Sequence, residues 1–496
     1  MSAKRRVAVV GGGISGLAAG YFIKEKAAAA GIELELRLFE KESRLGGTIL
    51  TEERDGFVIE GGPDCFLSEK PWARELARRL GIGERIEGTR EANKGTFILS
   101  GDRLHPLPEG VYLMVPTLMW PLLFSSLLSW RGKLRMGLEL VIPPRRDGKE
   151  ETLAEFVTRR LGREALEKIA EPLVAGVHAG IPETMSLRAS FPRFQKLEDE
   201  HGSLIRGMLA AMARRKKAPA RNSSLTMFLT VREGLAGLVD EIARTFAPGE
   251  IVAGDPVTGL TGRGEYQITL ASGKTVSADV VVLAAPSYIS AELISEMDKE
   301  LAALLQAIPY VSTATISLAF REQDLPPLSG FGFVVPRTEN RRIMAATWTS
   351  RKFLHRSPEG FALLRCFIGG ANHPELIALD DSAMTKLALE ELHDIVHLHA
   401  EPLLARAFRW PRSMPQTVVG HEARMARVNE RLKLLPGLYL TGGAYHGLGI
   451  PDCIHQGELA AEQTAGFLKM QPRPLFGRGF ISLAKFDRSC YGNTES

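Results

Sequence analysis

The feature that most restricts this chain is its first complete structural unit, "RRVAVVGGGISGLAAGYFIKEKAAAAGIELELRLFEKESRLGG". Val7–Val10 is a short apolar run that reads as a buried strand, and Leu17–Lys26 has the alanine-rich texture of a helix. Leu34, Leu36, Leu38 and Phe39 form a second strand that ends at Glu40. Between the first strand and the helix, Gly11, Gly13 and Gly16 make G-x-G-x-x-G. The first glycine allows a tight turn, the second lets backbone approach a pyrophosphate, and the third brings helix against strand. The helix start then aims amide donors and partial positive charge at phosphate. A carboxylate at Glu40 can accept ribose hydroxyls, and an acid there argues against a 2′-phosphate, hence against NADP. The unit predicts a dinucleotide.

Which dinucleotide depends on the rest of the chain. "RLGG" (residues 44–47) offers a second phosphate-side turn, "GFVIEGGPD" follows, and "TGGAYHGLGIPDC" far downstream supplies another glycine turn before a helix. An NAD domain would finish within one contiguous block. A longer ligand touched by both ends of the chain is what FAD requires. Ile450 precedes Pro451, a residue suited to a first helical turn, so that helix start is expected to aim amides at the flavin N1/O2 edge.

A chain of 496 residues is long enough for two or three domains, and 45% hydrophobic with 24% charged residues excludes disordered and fibrous classes. The net charge of +4 is spread along the sequence, without a basic stripe interleaved with aromatics, so nucleic acid is not expected as a partner. Four scattered cysteines without a CxxC pair indicate neither a zinc site nor a disulfide framework, and a cytoplasmic setting is expected. The strand begins too close to residue 1 to leave room for a cleavable signal.

"VYLMVPTLMWPLLFSSLLSW", Val111–Trp130, carries no charge over twenty residues. Pro116 and Pro121 disfavour one continuous helix, so three readings stand: a segment dipping into one leaflet or lining a channel mouth, buried core, or a true span. Arg131, Lys133 and Arg135 follow and are placed to snorkel to lipid headgroups. "ARRKKAPARNSS", residues 213–224, reads as an exposed loop. From Ile251 the text turns to strands, with "ASGKT" as a hairpin turn. His393 and His397 in the helical run of residues 380–400 have the i, i+4 spacing of metal ligands, but no third ligand accompanies them, so a solvated helix face and no metal are expected.

The GGGISG turn, the RLGG pair, "DPVTGL", "GFGFVVP", "WPRSMPQTVVGH", "YHGLGIPDCIHQG" and above all "EPLVAGVHAGIPETMSLRASFP" (residues 171–192) resemble the FAD-dependent porphyrinogen oxidases of haem biosynthesis, over about residues 5–468. The resemblance implies an α/β fold with three parts: a Rossmann-like FAD-binding domain from discontinuous segments (1–88, 202–295, 423–470), a mixed-sheet substrate domain (89–105, 296–422) and a helical membrane-associated domain (106–201), with residues 471–496 as a tail. It implies FAD contacts at Gly11, Gly12, Gly13, Ile14, Ser15, Gly16, Glu40, Arg44, Thr48, Gly62, Pro63, Asp64, Cys65, Val257, Trp410, Gly443, Leu448, Gly449 and Ile450. It implies a flat macrocycle held between apolar walls at Val334, Thr347 and Phe367, with a backbone carbonyl at Gly176 facing the pyrrole N–H groups.

Family members often carry leucine where Thr347 stands, and arginine at the place of Thr96 to pair a propionate; Lys94 is the substitute if it shares a strand face with Thr96. The activity implied is six-electron oxidation of a porphyrinogen by O2 in three flavin cycles. Peripheral membrane contact and the next haem-pathway enzyme are the further partners. Protoporphyrinogen IX and coproporphyrinogen III both stay open as substrate. No acid/base triad is identifiable, so no catalytic side chain is assigned and the flavin carries the chemistry. His178 and His446 read as pocket or loop residues rather than acid/base groups. Two rivals remain: a flavin amine oxidase, which would flank its substrate with two aromatics where only Tyr445 is obvious, and a non-enzymatic binding protein resembling the Rab escort type.

Overall fold

The computed structural model describes residues 4–112, 115–116, 119–217 and 225–470. The chain builds two sheets in alternation. β1 (Arg5–Val10) and β2 (Leu34–Glu40) begin the first sheet, and β3 (Phe97–Ser100) and β4 (Arg103–Pro106) form one edge of the second. β5 (Ile251–Ala253) and β6 (Val280–Leu283) return to the first. β7 (Tyr310–Arg321), β8 (Gly332–Val334), β9 (Ile343–Trp348), β10 (Phe361–Gly369) and β11 (Leu404–Pro415) complete the second, and β12 (Leu438–Leu440) closes the first.

The first sheet is parallel throughout, in the order β5-β2-β1-β6-β12. Val7 lies between Leu36 and Val280, and such strands are apolar on both faces because both faces are covered. On one face pack α1 (Ile14–Ala29) and the last described helix, Ile450–Met470. They touch closely because Gly457 has no side chain: a Cβ there would lie 2.8 Å from Ala19 N and Ser15 O. On the other face lies an antiparallel sheet that contains the expected hairpin, Tyr266–Leu270 paired with Thr275–Ala278.

The second sheet runs β11-β7-β10-β9-β8-β3-β4, antiparallel except where β8 meets β3. Alternation sorts its residues: Ile316, Cys366, Ala346 and Phe333 pack onto the helix Asp381–Val396. The opposite face carries Thr315, Arg365, Phe367, Thr347 and Val334. Above part of that face lies α2 (Glu171–His178), at the edge of a helical segment with its own core around Phe156, Ile169 and Phe194.

Several expectations are revised. Among the described residues no helix is long and apolar enough to cross a membrane. The uncharged segment breaks into two short paired strands, Val111–Tyr112 and Val115–Pro116, and the helix Met119–Phe124, with Leu122, Leu127 and Leu128 buried. Two of the three cations after it do not reach outward. Lys133 is buried and its Nζ donates to Leu123 O at 2.7 Å. The Arg135 guanidinium donates to the carbonyls of Thr158, Arg159 and Arg160. Both cations thus satisfy carbonyls that helix ends leave unpaired. The helix from Leu204 continues through Lys217, so the first part of the expected loop at 213–224 is helical and residues 218–224 lie outside the described residues, as does the tail 471–496. The histidine-bearing helix ends at Val396; His397 is its left-handed cap, so His393 and His397 do not form an i, i+4 pair on one helix, although His393, His397 and His399 are all solvent-exposed.

Candidate active site

The glycine turn after β1 is fixed by close approach. Gly11 has φ +112°, and a Cβ there would lie 2.9 Å from the Ala284 carbonyl at the end of β6. A Cβ at Gly16 would lie 1.9 Å from Gly11 O, and one at Gly12 would meet Glu40 Cβ at 2.9 Å. Gly13 is different: a Cβ there would meet only Gly47 Cα, at 3.9 Å, so the turn is open at the start of α1. Gly13 caps α1 with no side-chain hydrogen bond and no acidic residue in the first turn, leaving the amides of Ile14 and Ser15 to an external acceptor. Gly46 N donates to Gly12 O at 2.9 Å, so the RLGG turn is joined to the first. Arg44 shapes that turn by donating to the carbonyls of Leu45, Gly47 and Ile49, and Thr48 is exposed beside it.

Glu40 is buried. Its Oε2 accepts from Gly12 N at 2.6 Å and its Oε1 from Glu42 N at 3.0 Å, and each oxygen keeps a lone pair for a hydroxyl. Gly254 N donates to Glu40 O, which brings in the loop before Val257; Val257 packs against the core beneath the sheet.

The turn Gly61–Cys65 is where the two sheets meet. A Cβ at Gly62 would lie 1.7 Å from Thr48 O and 3.7 Å from the Trp410 ring. Gly61 O accepts from Trp410 Nε1 and from Thr315 Oγ1, both at 2.8 Å, and Arg365 Nη2 donates to Gly61 O and Gly62 O. After Pro63, Asp64 Oδ2 accepts from Lys352 Nζ at 2.9 Å. Burial opposes ionisation of Asp64, but Lys352 and Arg365 outweigh it and hold the carboxyl far below its ordinary value. Burial, then Asp64, push the Cys65 thiol up to about 12. Sequence reasoning missed Lys352 and Arg365. The signal for Arg365 was a charge inside the apolar run "FALLRCFIG"; Lys352 had none.

The far end of the chain arrives at the same place. Gly442 and Gly447 (each φ +132°) flank the short helix Gly443–His446. A Cβ at Gly443 would meet Leu448 at 3.2 Å and Cys453 Sγ at 3.5 Å. A Cβ at Gly457 would lie 2.8 Å from Ser15 O, so the start of α1 adjoins the helix that opens at Ile450 after Gly449. Asp452 in that helix's first turn is paired with Lys70 at 2.6 Å. Tyr445 is 3% exposed inside the core of the first sheet, so it does not wall a cleft.

On the second sheet, Gly176 in the last turn of α2 is exposed, and a Cβ there would lie 3.5 Å from Val334 Cγ1. Ladder pairing sets Thr347 opposite Gly332 and Arg365, and Phe367 opposite Ala345, so Val334, Thr347 and Phe367 share one face. Thr96 adjoins β3, but Lys94 does not share its strand: it caps a short 3-10 turn, with Gly95 at φ +144° between, and lies 3.6 Å from Glu91 with a 74% exposed side chain. The shared-face condition for Lys94 is therefore not met. His178 packs edge to face on Phe191, and burial, aided by Lys70, brings its imidazole down to about 4. Burial also lowers His446.

A parallel sheet with a glycine-rich first turn, an uncapped helix start above it and a carboxylate at the end of the second strand defines a dinucleotide-binding protein of the α/β class. The chain belongs to the flavin-containing amine oxidoreductases: the model of the family "Flavin containing amine oxidoreductase" matches residues 14–465. It is 35% identical to the coproporphyrinogen III oxidase of Bacillus subtilis (strain 168), over 94% of this chain and 99% of that one. It is 27% identical to the chloroplastic protoporphyrinogen oxidase of Nicotiana tabacum, over 93% of this chain and 85% of that one. A solved structure from Exiguobacterium sp. 255-15 superposes with TM-score 0.83 at 31% identity, covering 95% of this chain and all of that one. Putrescine oxidase structures share the fold, with TM-score 0.66 at 13% identity. FAD is the cofactor of this chain, an oxidoreductase.

Proposed function

We propose that this protein is an FAD-dependent porphyrinogen oxidase that takes coproporphyrinogen III in preference to protoporphyrinogen IX. The curated relatives named coproporphyrinogen III oxidase, at 29–35% identity, support that preference over the plant proteins named protoporphyrinogen oxidase, at 25–28%, while the Exiguobacterium structure, at 31%, carries the protoporphyrinogen oxidase name. The observation that carries the reading is the meeting of a dinucleotide turn with a sheet face on which Val334 and Phe367 stand beside Thr315, Thr347 and Arg365. Gly61–Cys65 is hydrogen-bonded to Thr315 and Arg365 of the sheet, whose neighbours Thr347, Phe367 and Val334 lie under α2. The burial of Tyr445 removes the aromatic wall that the amine-oxidase alternative needs.

In this reading α1 and the RLGG turn take the pyrophosphate, Glu40 holds the adenosine ribose, and Val257 meets the adenine. Trp410, Gly62–Cys65, Gly443 and Leu448–Ile450 hold the ring end. Bound FAD supplies a two-electron acceptor that O2 restores, so three turnovers remove six electrons. Val334 and Phe367 exclude water from the macrocycle faces, and the last-turn carbonyls of α2, at Gly176, accept the pyrrole N–H groups. The amides at Ile450 and the positive end of that helix stabilise negative charge beside them. His178 stays neutral at working pH and shuttles no proton. Thr96 borders the site, and Lys94 reaches a propionate only if its Glu91 contact opens.

The FAD-binding, substrate and helical parts are proposed with the boundaries read from the sequence, except that the helix Leu204–Lys217 packs in the helical part's core through Leu204 and Met208. The helical part supports contact with a membrane surface: Trp130, Leu134 and Val141 are each more than 70% exposed, beside exposed Arg131. A cytoplasmic protein of this kind would hand its porphyrin to the next haem-pathway enzyme. The test is a side-by-side fluorescence assay of porphyrin formation from coproporphyrinogen III and protoporphyrinogen IX. Faster oxidation of the former is expected; rates no better than spontaneous for both, with FAD bound, overturn the reading.

A further inference from the structure

We propose that Arg365 and Lys352 set the redox behaviour of the cofactor, as two buried cations locked behind the Gly61–Cys65 turn that keep this side of the ring site positive. The inference rests on the reading that this turn contacts FAD.

Arg365 sits in the middle of β10 on the cleft-facing row, opposite Thr347 and two residues before Phe367, with its guanidinium 4.8 Å from the Phe367 ring. It is 2% exposed. Nη2 holds the carbonyls of Gly61 and Gly62, while Nε has no hydrogen-bond partner among the described residues. Lys352 comes from the short helix after β9, and its ammonium lies between the Phe228 and Phe353 rings at 5.1 and 5.0 Å, bonded to Asp64 and 3.3 Å from Cys65 Sγ.

The local charge does not balance. Asp64 is the carboxylate that faces both cations. The next one, Glu60, is engaged by the fully buried Arg356 at 3.6 Å and is itself pushed up to about 7 by burial. Three cations therefore oppose two carboxyls, one of them about half protonated at neutral pH. Arginine does not give up its proton in proteins, so the excess charge persists. A buried guanidinium with an unpaired N–H is costly, and a leucine would fit the apolar run of β10 at no such cost. What an uncompensated cation supplies in a water-poor site is a fixed positive potential, which favours negative charge on whatever the turn holds. Charge near the flavin ring is one of the ways a protein tunes that cofactor. This contribution lies on the second-sheet side, apart from the helix start at Ile450.

The test uses full-length FAD-loaded protein and needs no porphyrinogen. For wild type, Arg365→Gln, Arg365→Lys and Lys352→Met, the flavin midpoint potential is measured by dye equilibration and the affinity of the oxidised flavin for sulfite by titration. Arg365→Gln and Lys352→Met are expected to lower the potential and weaken sulfite binding at least about tenfold, with Arg365→Lys close to wild type. Arg365→Gln that keeps FAD with unchanged potential and sulfite affinity overturns the proposal. Should Arg365→Gln release FAD, Lys352→Met decides by the same two measurements. A protein whose flavin responds as expected yet oxidises neither porphyrinogen would refute the substrate reading alone.

Discussion

Glu40 illustrates what a single side chain does here. Its two oxygens tie the end of β2 to the glycine turn and to Glu42, so it shapes the cradle proposed to hold the nucleotide. Glu40→Ala should weaken FAD retention at least about tenfold, roughly 1.4 kcal/mol. The ratio of activity on the two porphyrinogens should change less, because the proposed substrate face lies on the other sheet. Equilibrium dialysis against FAD and paired rate measurements check both parts. Glu40 and its glycines were readable from the chain because each answers a local backbone requirement: Gly16 is glycine since nothing else fits against Gly11 O. Arg365 and Lys352 answer a requirement set by residues three hundred positions away, which spacing along the chain does not reveal. His397 was misread for a smaller reason: the helix stops one residue before it.

At the scale of elements, the helical segment is held by charge as well as by apolar packing. Arg160 and Glu139 are both fully buried, and Glu139 also accepts from Ser203 Oγ and the amides of Leu204 and Ile205, capping the helix that starts there. Arg160→Met should destabilise the protein by about 3–5 kcal/mol, since it strands a buried carboxylate. Urea unfolding measures it, and a second change, Glu139→Gln, should recover part of the loss. The stripe at Trp130 and Leu134 belongs to the same segment but faces outward. Trp130→Glu with Leu134→Glu should abolish co-sedimentation with anionic vesicles while leaving the melting temperature within a few degrees. The composition of Val111–Trp130 gave apolarity and length, but not that Leu122, Leu127 and Leu128 would turn inward while Trp130 stayed out. That division depends on helices contributed from further along the chain.

For the molecule as a whole, the junction between the two sheets carries a titrating group. Glu60, on the strand before the Gly61–Cys65 turn, has its carboxyl raised from 4.5 to about 7 by burial, against the opposing pull of Arg356 and the Leu235 amide. The native state therefore binds a proton more tightly than the unfolded chain between these values, and stability should fall as pH rises from about 4.5 to 7. Glu60→Gln should flatten that slope, and urea midpoints across the interval test it. The α/β class, the FAD cofactor and the meeting of the two chain ends at the glycine turn were readable because they need only short motifs in the right order. The mixed second sheet was visible as strands, but the pairing that puts Thr347 beside Arg365 was not, because register is set by partners remote in sequence.

The alternation of the chain between its two sheets has a bearing on synthesis. β12 and the helix from Ile450 join β6 and α1 only after the whole second sheet has been made. At roughly 5–20 residues per second of translation, the glycine turn waits on the order of half a minute for the helix that packs against it. During that interval β6 presents an open edge on an apolar sheet, a surface prone to wrong pairing. The nascent protein is thus expected to complete the cradle for its cofactor only after this helix has been made, and to depend on chaperone shielding until then.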